Sequence, residues 1–163
     1  MKNIIVAYDK ELAIGSNGNL LWKKGEMCND MRQFRDKTIG NIMIMGRKTL
    51  DSIGVALPGR ETIVLSRRET CPIPGVKLAH SLDEAYFMAK DYDEIFVVGG
   101  GEIYKQALET VDRIFATEVK ASISGADTYF PVLDDIWEKT KIEHFSSDEN
   151  NIYSYSLVTY GKR

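Results

Sequence analysis

Apolar residues fall into short tight runs along this chain, separated by turn residues or by stretches with helical spacing. Asn3–Tyr8, Asn41–Met45, Thr62–Ser66 and Glu94–Val98 are runs rich in Ile, Val and Met, as strands buried on both faces should be. Val76–His80 and Arg113–Val119 have strand character too. Between the runs the period changes. Met27, Met31 and Phe34 recur at i, i+4 and i+7, which predicts a helix over Glu26–Asp36. Arg47–Ile53 reads as a short helix stopped by Gly54, and Ser81-x-x-Glu84 is a capping box opening a helix over Leu82–Lys90. A last helix, Glu102–Glu109, follows Gly99-Gly100-Gly101. Ala13–Lys24 is a polar loop punctuated by Gly15 and Gly18 and carrying Trp22, and Leu57-Pro58-Gly59-Arg60 is a turn. Ile136–Phe145 and Asn151–Tyr160 are strand-like stretches around a polar turn at Ser146–Asn150. Strands alternating with helices give parallel crossovers, and the terminal hairpin adds an antiparallel edge strand. The pattern predicts an α/β fold, a mostly parallel sheet of about eight strands with about four helices on its faces.

Length and composition narrow the class. The 163 residues fit one domain, and 44% hydrophobic with 28% charged residues is the composition of a globular protein. A net charge of −3 offers no general attraction to nucleic acid or anionic membrane. Met1-Lys2-Asn3 runs directly into a strand pattern rather than a signal peptide, and no apolar stretch has the length of a membrane span. Cys28 and Cys71 lack C-x-x-C spacing and read as reduced thiols in a cytoplasmic protein. His80 and His144 have no cysteine cluster beside them, so no metal site is expected. No exposed apolar stripe is evident, and a monomer is expected.

Several features could carry chemistry. The triple glycine between a strand and a helix allows a pyrophosphate to approach the backbone, or is simply a tight turn. It is not a G-x-G-x-x-G fingerprint, because Tyr104 holds the third glycine position. Met45-Gly46-Arg47-Lys48-Thr49 repeats strand, glycine and helix start, but Asn41 stands where a P-loop needs its first glycine. Over residues 47–68 Arg47, Lys48, Arg60, Arg67 and Arg68 outnumber Asp51 and Glu61. This is a site for a multiply anionic small molecule or a solvated surface. Asp30 lies three residues after Met27 and four before Phe34, on the apolar face of its helix. A carboxylate there is either desolvated and suited to proton chemistry, or an exposed charge favoured by the helix N-terminus. Trp22 is a core anchor or a wall of a ligand site. Ser66 has no nucleophile elbow around it.

Taken in order, these features resemble the dihydrofolate reductases over essentially the whole chain. The resemblance rests on Ile14-Gly15 with Trp22, Asp30-x-x-x-Phe34-x-x-x-Thr38, Ile44-Met45-Gly46-Arg47-Lys48-Thr49, Ser52-Ile53-Gly54, Leu57-Pro58-Gly59-Arg60, Val97 through Tyr104, and Asp127-Thr128-Tyr129-Phe130-Pro131. It implies NADPH-dependent reduction of dihydrofolate to tetrahydrofolate, with hydride transfer to C6 and protonation of N5. Asp30, Trp22 and Thr117 would be catalytic, with Asp30 on the amidine edge of the pterin. Carbonyls of Ile5 and Val98, with Tyr104, would meet the pterin amino group. Met31, Phe34, Ile53 and Leu57 would be apolar walls, and Arg60 would hold the glutamate tail. Ala7 and Ile14 would hold the nicotinamide, with Gly15, Asn19 and Leu20 also on the cofactor side. Gly46–Thr49 (Lys48 included) and Gly99–Gly101 would bind the pyrophosphate, the latter through a cis Gly99–Gly100 bond. Arg47, Ser66 and Arg67 would take the 2′-phosphate, and Leu65, Glu102 and Ile103 would complete the cofactor contacts.

The chain departs from the family pattern at three places. An insertion lies in Lys23–Asn29, Leu21 replaces the proline common before the tryptophan, and Glu102 replaces a cation. The insertion makes Glu26 a rival acid, though Asp30 alone keeps the spacing to Phe34 and Thr38. A pterin or pyrimidine reductase of the same fold, such as those resembling it in the riboflavin pathway, and a non-catalytic dinucleotide-binding module are the alternatives.

Overall fold

In the computed structural model, which describes residues 1–16, 20–23 and 25–163, β1 (Lys2–Tyr8) is the centre of an eight-stranded sheet. Its neighbours are β6 (Ile95–Val97) and β7 (Arg113–Val119), both parallel to it. Beyond β6 come β3 (Ile42–Gly46), β4 (Glu61–Leu65) and β5 (Lys77–Ala79), also parallel. Beyond β7 come β10 (Tyr155–Lys162) and then β9 (Trp137–Phe145) at the edge. Both contacts of β10 are antiparallel, so β10, one strand in from the edge, is the reversed strand. β9 runs with the rest. It leaves residues 138–144 exposed, with Lys139, Lys141 and Glu143 among them, charges that discourage further strand pairing.

Among the described residues there are four helices, as the pattern predicts: α1 (Cys28–Thr38), α2 (Arg47–Ile53), α3 (Leu82–Met88) and α4 (Gly101–Ala107). Ser81 Oγ accepts the Glu84 N–H at 3.0 Å, and Glu84 Oε2 accepts the His80 N–H at 2.8 Å, which fixes the start of α3. One large core, containing Ile4, Val6, Ile44, Val97 and Ile114, is covered by α3 and α4 through Leu82, Ala85, Tyr104 and Ala107. A second, built on Met43, Met45, Leu50 and Val64, lies beneath Phe34, Ile53, Leu57 and Val98. Cys28 and Cys71 are free thiols.

Several boundaries differ from the sequence expectation. The stretch 13–24, expected to be a loop, contains β2 (Ala13–Gly15), which pairs with β8 (Thr128–Tyr129) in a separate small ladder. α1 begins two residues later than Glu26 and ends two later than Asp36. β10 begins at Tyr155 rather than Asn151, because Asp148–Asn151 forms a turn bonded to itself and to the start of α1. Among the described residues, no helix is long and apolar enough to cross a membrane.

Candidate active site

The parallel strands deliver their C-terminal ends to one side of the sheet, the usual place for a ligand in such folds. On β7, Thr117 pairs in register with Ala7 of β1. α1 sets Asp30 against them, and Thr117 Oγ1 donates to Asp30 Oδ1 at 2.8 Å. Burial pushes the Asp30 carboxyl up to about 6, and the bond from Thr117 opposes part of that rise. Ile5, Asp30, Phe34 and Thr117 line one open cleft of about 420 Å³.

Tyr104 reaches the same place from α4. Its hydroxyl lies 2.8 Å from the carbonyl of Ile5 and 2.9 Å from that of Val98. One O–H is shared between two carbonyls, and each carbonyl keeps lone-pair capacity for a further donor. Burial and the nearby Asp30 charge raise the phenol far above its ordinary value, so it remains a donor. Trp22 is 6% exposed and packs with Met27, Val119, Tyr155, Ala7 and Leu21. Among the described residues its Nε1 is buried without a protein partner, a donor that a ligand or a water can satisfy.

Phe34, Ile53 and Leu57, expected as apolar walls, come together with Val98 around Met43 and Met45. Met31, also expected as a wall, stands 44% exposed and outside these clusters. Arg60 is tethered at the rim. Its Nε donates to the Pro58 carbonyl at 3.1 Å, its Nη1 to Thr38 Oγ1 at 3.1 Å, and its guanidinium lies 6.0 Å from the Phe34 ring. Thr38 in turn donates to the Phe34 carbonyl at 2.7 Å. The motif spacing Phe34-x-x-x-Thr38 thus has a physical role that the sequence reading left unassigned. Partial burial and repulsion from Arg35 lower the Arg60 pKa, which identifies Arg35 as a second cation at this rim.

The two glycine turns meet across the sheet. Gly46 N–H donates to the Gly99 carbonyl at 2.8 Å, and the Gly99–Gly100 peptide is cis. A Cβ on Gly46 would come within 3.3 Å of Ile103, one on Gly100 within 3.5 Å of Thr49 Oγ1, and one on Gly101 within 2.9 Å of Thr128. A side chain at Gly101, and to a lesser degree at Gly46, would crowd the small space between α2, α4 and β8, whereas the contact at Gly100 is an ordinary one. Gly46 and Gly100 cap α2 and α4 without a side-chain acceptor, so the first N–H groups of both helices remain available to an anion. This arrangement fits a pyrophosphate.

Beside it a shallower cleft of about 270 Å³ is lined by Arg47, Ser66, Arg68 and Thr70. Arg47 Nη1 lies 3.0 Å from Asp51 Oδ2. Arg68 lines this cleft and its N–H donates to Ser66 Oγ at 3.1 Å, and both Arg67 and Arg68 are exposed. Leu65 ends β4 beside Ser66, Ile14 and Gly15 lie in β2, Ala7 is half-buried, and Lys48, Glu102 and Leu20 are exposed. Asn19, with Gly18 and Lys24, lies outside the described residues. Glu26, the rival acid, is engaged elsewhere, its Oε1 accepting the Lys23 N–H at 2.5 Å.

A family model described as dihydrofolate reductase matches residues 1–162. This chain belongs to the dihydrofolate reductase family. It is 34% identical to the dihydrofolate reductase of Staphylococcus haemolyticus over 159 residues, 97% of this chain and 93% of that protein. It is 38% identical to that of Haemophilus influenzae over 154 residues, 93% of this chain and 92% of the relative. Among solved structures, a dihydrofolate reductase from Enterococcus faecalis complexed with NADP(H) and RAB-propyl superposes with a TM-score of 0.91 at 33% identity. That match covers 100% of this chain and 96% of the other. The bacterial dihydrofolate reductase fold is therefore the frame in which Asp30, Thr117, Tyr104 and the paired glycine turns are to be understood.

Proposed function

We propose that Asp30 is the residue around which the chemistry turns, with the residues about it divided between substrate and cofactor. Membership of the family sets the overall reaction: NADPH and a proton convert dihydrofolate to tetrahydrofolate and NADP⁺. The observation that carries the assignment is a half-buried carboxylate with one side-chain donor, Thr117, and a pKa raised to about 6. Such a group accepts hydrogen bonds from the amidine edge of a pterin and favours a proton in the site during the reaction. Thr117 orients it. Ile5, Val98 and Tyr104 present three oxygens that can receive the pterin amino group, with Met31, Phe34, Ile53 and Leu57 as walls. Arg60, with Arg35 beside it, is placed for the carboxylates of the glutamate tail. Trp22 contributes its unpartnered indole N–H.

When bound, the cofactor supplies the hydride. The chain would hold it through Ala7, Ile14, Gly15 and Leu20 near the nicotinamide. Gly46, Lys48, Thr49 and Gly99–Gly101 with Ile103 would take the pyrophosphate, and Arg47, Ser66 and Arg67 the 2′-phosphate, with Arg68 beside them. Leu65, Tyr104 and Glu102 complete this side, and Glu102 adds no attraction for an anion. The chain would act as a single-domain monomer in the cytoplasm, without nucleic acid or membrane partners.

The test is consumption of NADPH by the purified protein, followed at the nicotinamide absorbance band with and without dihydrofolate. Oxidation that depends on dihydrofolate is expected, and absorbance loss without substrate, or none with it, overturns the reading. Two arginines around one phosphate should favour NADPH over NADH by at least about tenfold in kcat/KM. Equal values for the two cofactors would remove the 2′-phosphate assignment.

A further inference from the structure

Helix α1 carries Asp30 as its third residue, yet its own N-cap, Met27, offers no side-chain acceptor. The missing acceptor comes from far along the chain. Asn151 Oδ1 accepts the N–H of Asn29 at 2.9 Å, and the Asn150 carbonyl accepts that of Cys28 at 3.0 Å. Ile152 N–H donates back to the Glu26 carbonyl at 2.8 Å, so the turn between β9 and β10 grips both sides of the helix start. Asn151 is 2% exposed and cannot swing away freely. Asp148 Oδ1 accepts its Nδ2 at 3.0 Å, and its carbonyl accepts the Asp148 N–H at 2.8 Å. Asn29 Nδ2 adds a bond to Tyr155 Oη at the start of β10.

A helix start without a local cap leaves N–H groups unsatisfied and frays. Here fraying would act one residue away from the carboxylate, and rate is sensitive to small displacements of such a group. We propose that Asn151 is a positioning residue for the reduction, capping α1 from a distant hairpin and so holding Asp30 against Thr117. The proposal rests on the assignment of Asp30 above. Among the described residues, the titratable and charged groups that share this cleft with Asp30 or act on it are Tyr104 from α4, Lys37 from α1, and Lys141 and Glu143 from β9. β1, β7 and β10 present Ile5, Thr117, Leu157 and Thr159 there, none of which titrates near neutrality.

The experiment is the pH dependence of the hydride-transfer rate in single turnovers, measured well below the melting temperature of each variant. Asn151→Ala should slow the step by about 10- to 100-fold. It should also move the inflection to lower pH, because a frayed first turn lets water reach the carboxylate. Asn151→Ser keeps a polar side chain in the turn but ends one atom short of Asn29, and should shift the profile in the same direction if alanine fails to fold. Ser154→Ala removes a bond internal to the same hairpin, from the Ser147 N–H, and should leave profile and rate at parent values. A parent-like rate and inflection in a folded Asn151 variant, or an equal shift in Ser154→Ala, overturns the proposal. Asp30→Asn in the same series separates the two readings. If it keeps the parent inflection, the assignment of Asp30 fails. If it flattens the profile while the Asn151 variants do not move it, only the positioning role fails.

Discussion

Two aspartates are withdrawn from bulk water in this protein, and the structure treats them in opposite ways. Asp9 follows β1 and is 2% exposed. Its Oδ1 accepts the N–H groups of Glu11 and Ala13 at 2.9 and 3.0 Å, and its Oδ2 accepts that of Ile123 at 2.9 Å. It is a clasp that ties the chain entering β2 to the segment following β7. Asp30 has a single side-chain donor, Thr117, and burial has raised its pKa to about 6. Both are withdrawn from water, Asp9 fully and Asp30 in part, so shielding alone does not separate the two. The difference lies in acceptor capacity left open: three backbone donors fix Asp9 as structure, whereas Asp30 keeps lone pairs for a ligand.

Removing the titrating group at Asp30 should have the largest effect. Asp30→Asn should lower turnover near neutrality by about 10²-fold or more, with partial recovery in acid, where solvent can protonate the substrate. It should also make the protein more stable. The folded carboxyl binds its proton near 6 and the unfolded one near 3.8. Its contribution to folding is therefore fully present below about pH 4 and is lost as pH rises through 6. At neutral pH the ionised group costs up to about 3 kcal/mol, which the asparagine avoids. Thermal melts at pH 7 and pH 4 check this: the variant should melt higher at pH 7, and the gap should narrow at pH 4. A variant as active as the parent at pH 7 would move the role elsewhere.

At Asp9 the balance should reverse. Asp9→Asn turns an amide donor toward one of three N–H groups that need an acceptor, costing about 1–3 kcal/mol. The melting temperature should fall, while the pH inflection of catalysis stays near 6 in the protein that remains folded. An inflection that moved with Asp9 would show the two carboxylates to be coupled and would break the contrast drawn above.

This contrast also marks what could be read from the sequence. Asp30 was legible because Met27 and Phe34 give its helix a phase, and a carboxylate on that phase stands out. The glycine turns were legible because each joins an apolar run to a helix. Asp9 gave no signal, because its donors are backbone groups at positions 11, 13 and 123, and backbone N–H groups look alike in every sequence. The β2–β8 ladder was missed for a related reason: strands of three and two residues carry no period.

Arg60 tests a charge proposed to meet the substrate's tail rather than the transferred proton. A lysine cannot reproduce the two parallel bonds of a guanidinium to a carboxylate. Arg60→Lys should raise KM for dihydrofolate by about tenfold, corresponding to ~1.4 kcal/mol, and leave kcat within a few-fold, because the tail is bound equally in ground and transition states. Titration with an antifolate bearing a glutamate and with one lacking it checks the assignment. Equal loss for both would make Arg60 a support of the pocket wall, through its bonds to Thr38 and Pro58.

The finest test changes how Asp30 is bonded without removing it. Thr117→Val keeps the shape of the side chain and deletes the hydroxyl that donates to Oδ1. That bond favours the ionised carboxylate and lowers the pKa, so without it the pKa should rise further above its ordinary value. A lost bond to a charged group corresponds to a displacement of about one pH unit. The inflection of the hydride-transfer profile should therefore move toward higher pH, opposite to the shift expected when the start of α1 is loosened. Near pH 7 more of the carboxyl would then be protonated, so a proton would be easier to find in the site, while the orientation that Thr117 imposes would be lost. The two effects oppose each other, and the net change in rate should be several-fold at most. The direction of the inflection is the informative quantity. A shift to lower pH would mean that valine admits water to the carboxylate. Thr117 would then act by sealing the site, and the difference between Asp9 and Asp30 would be one of solvent access rather than of donors supplied.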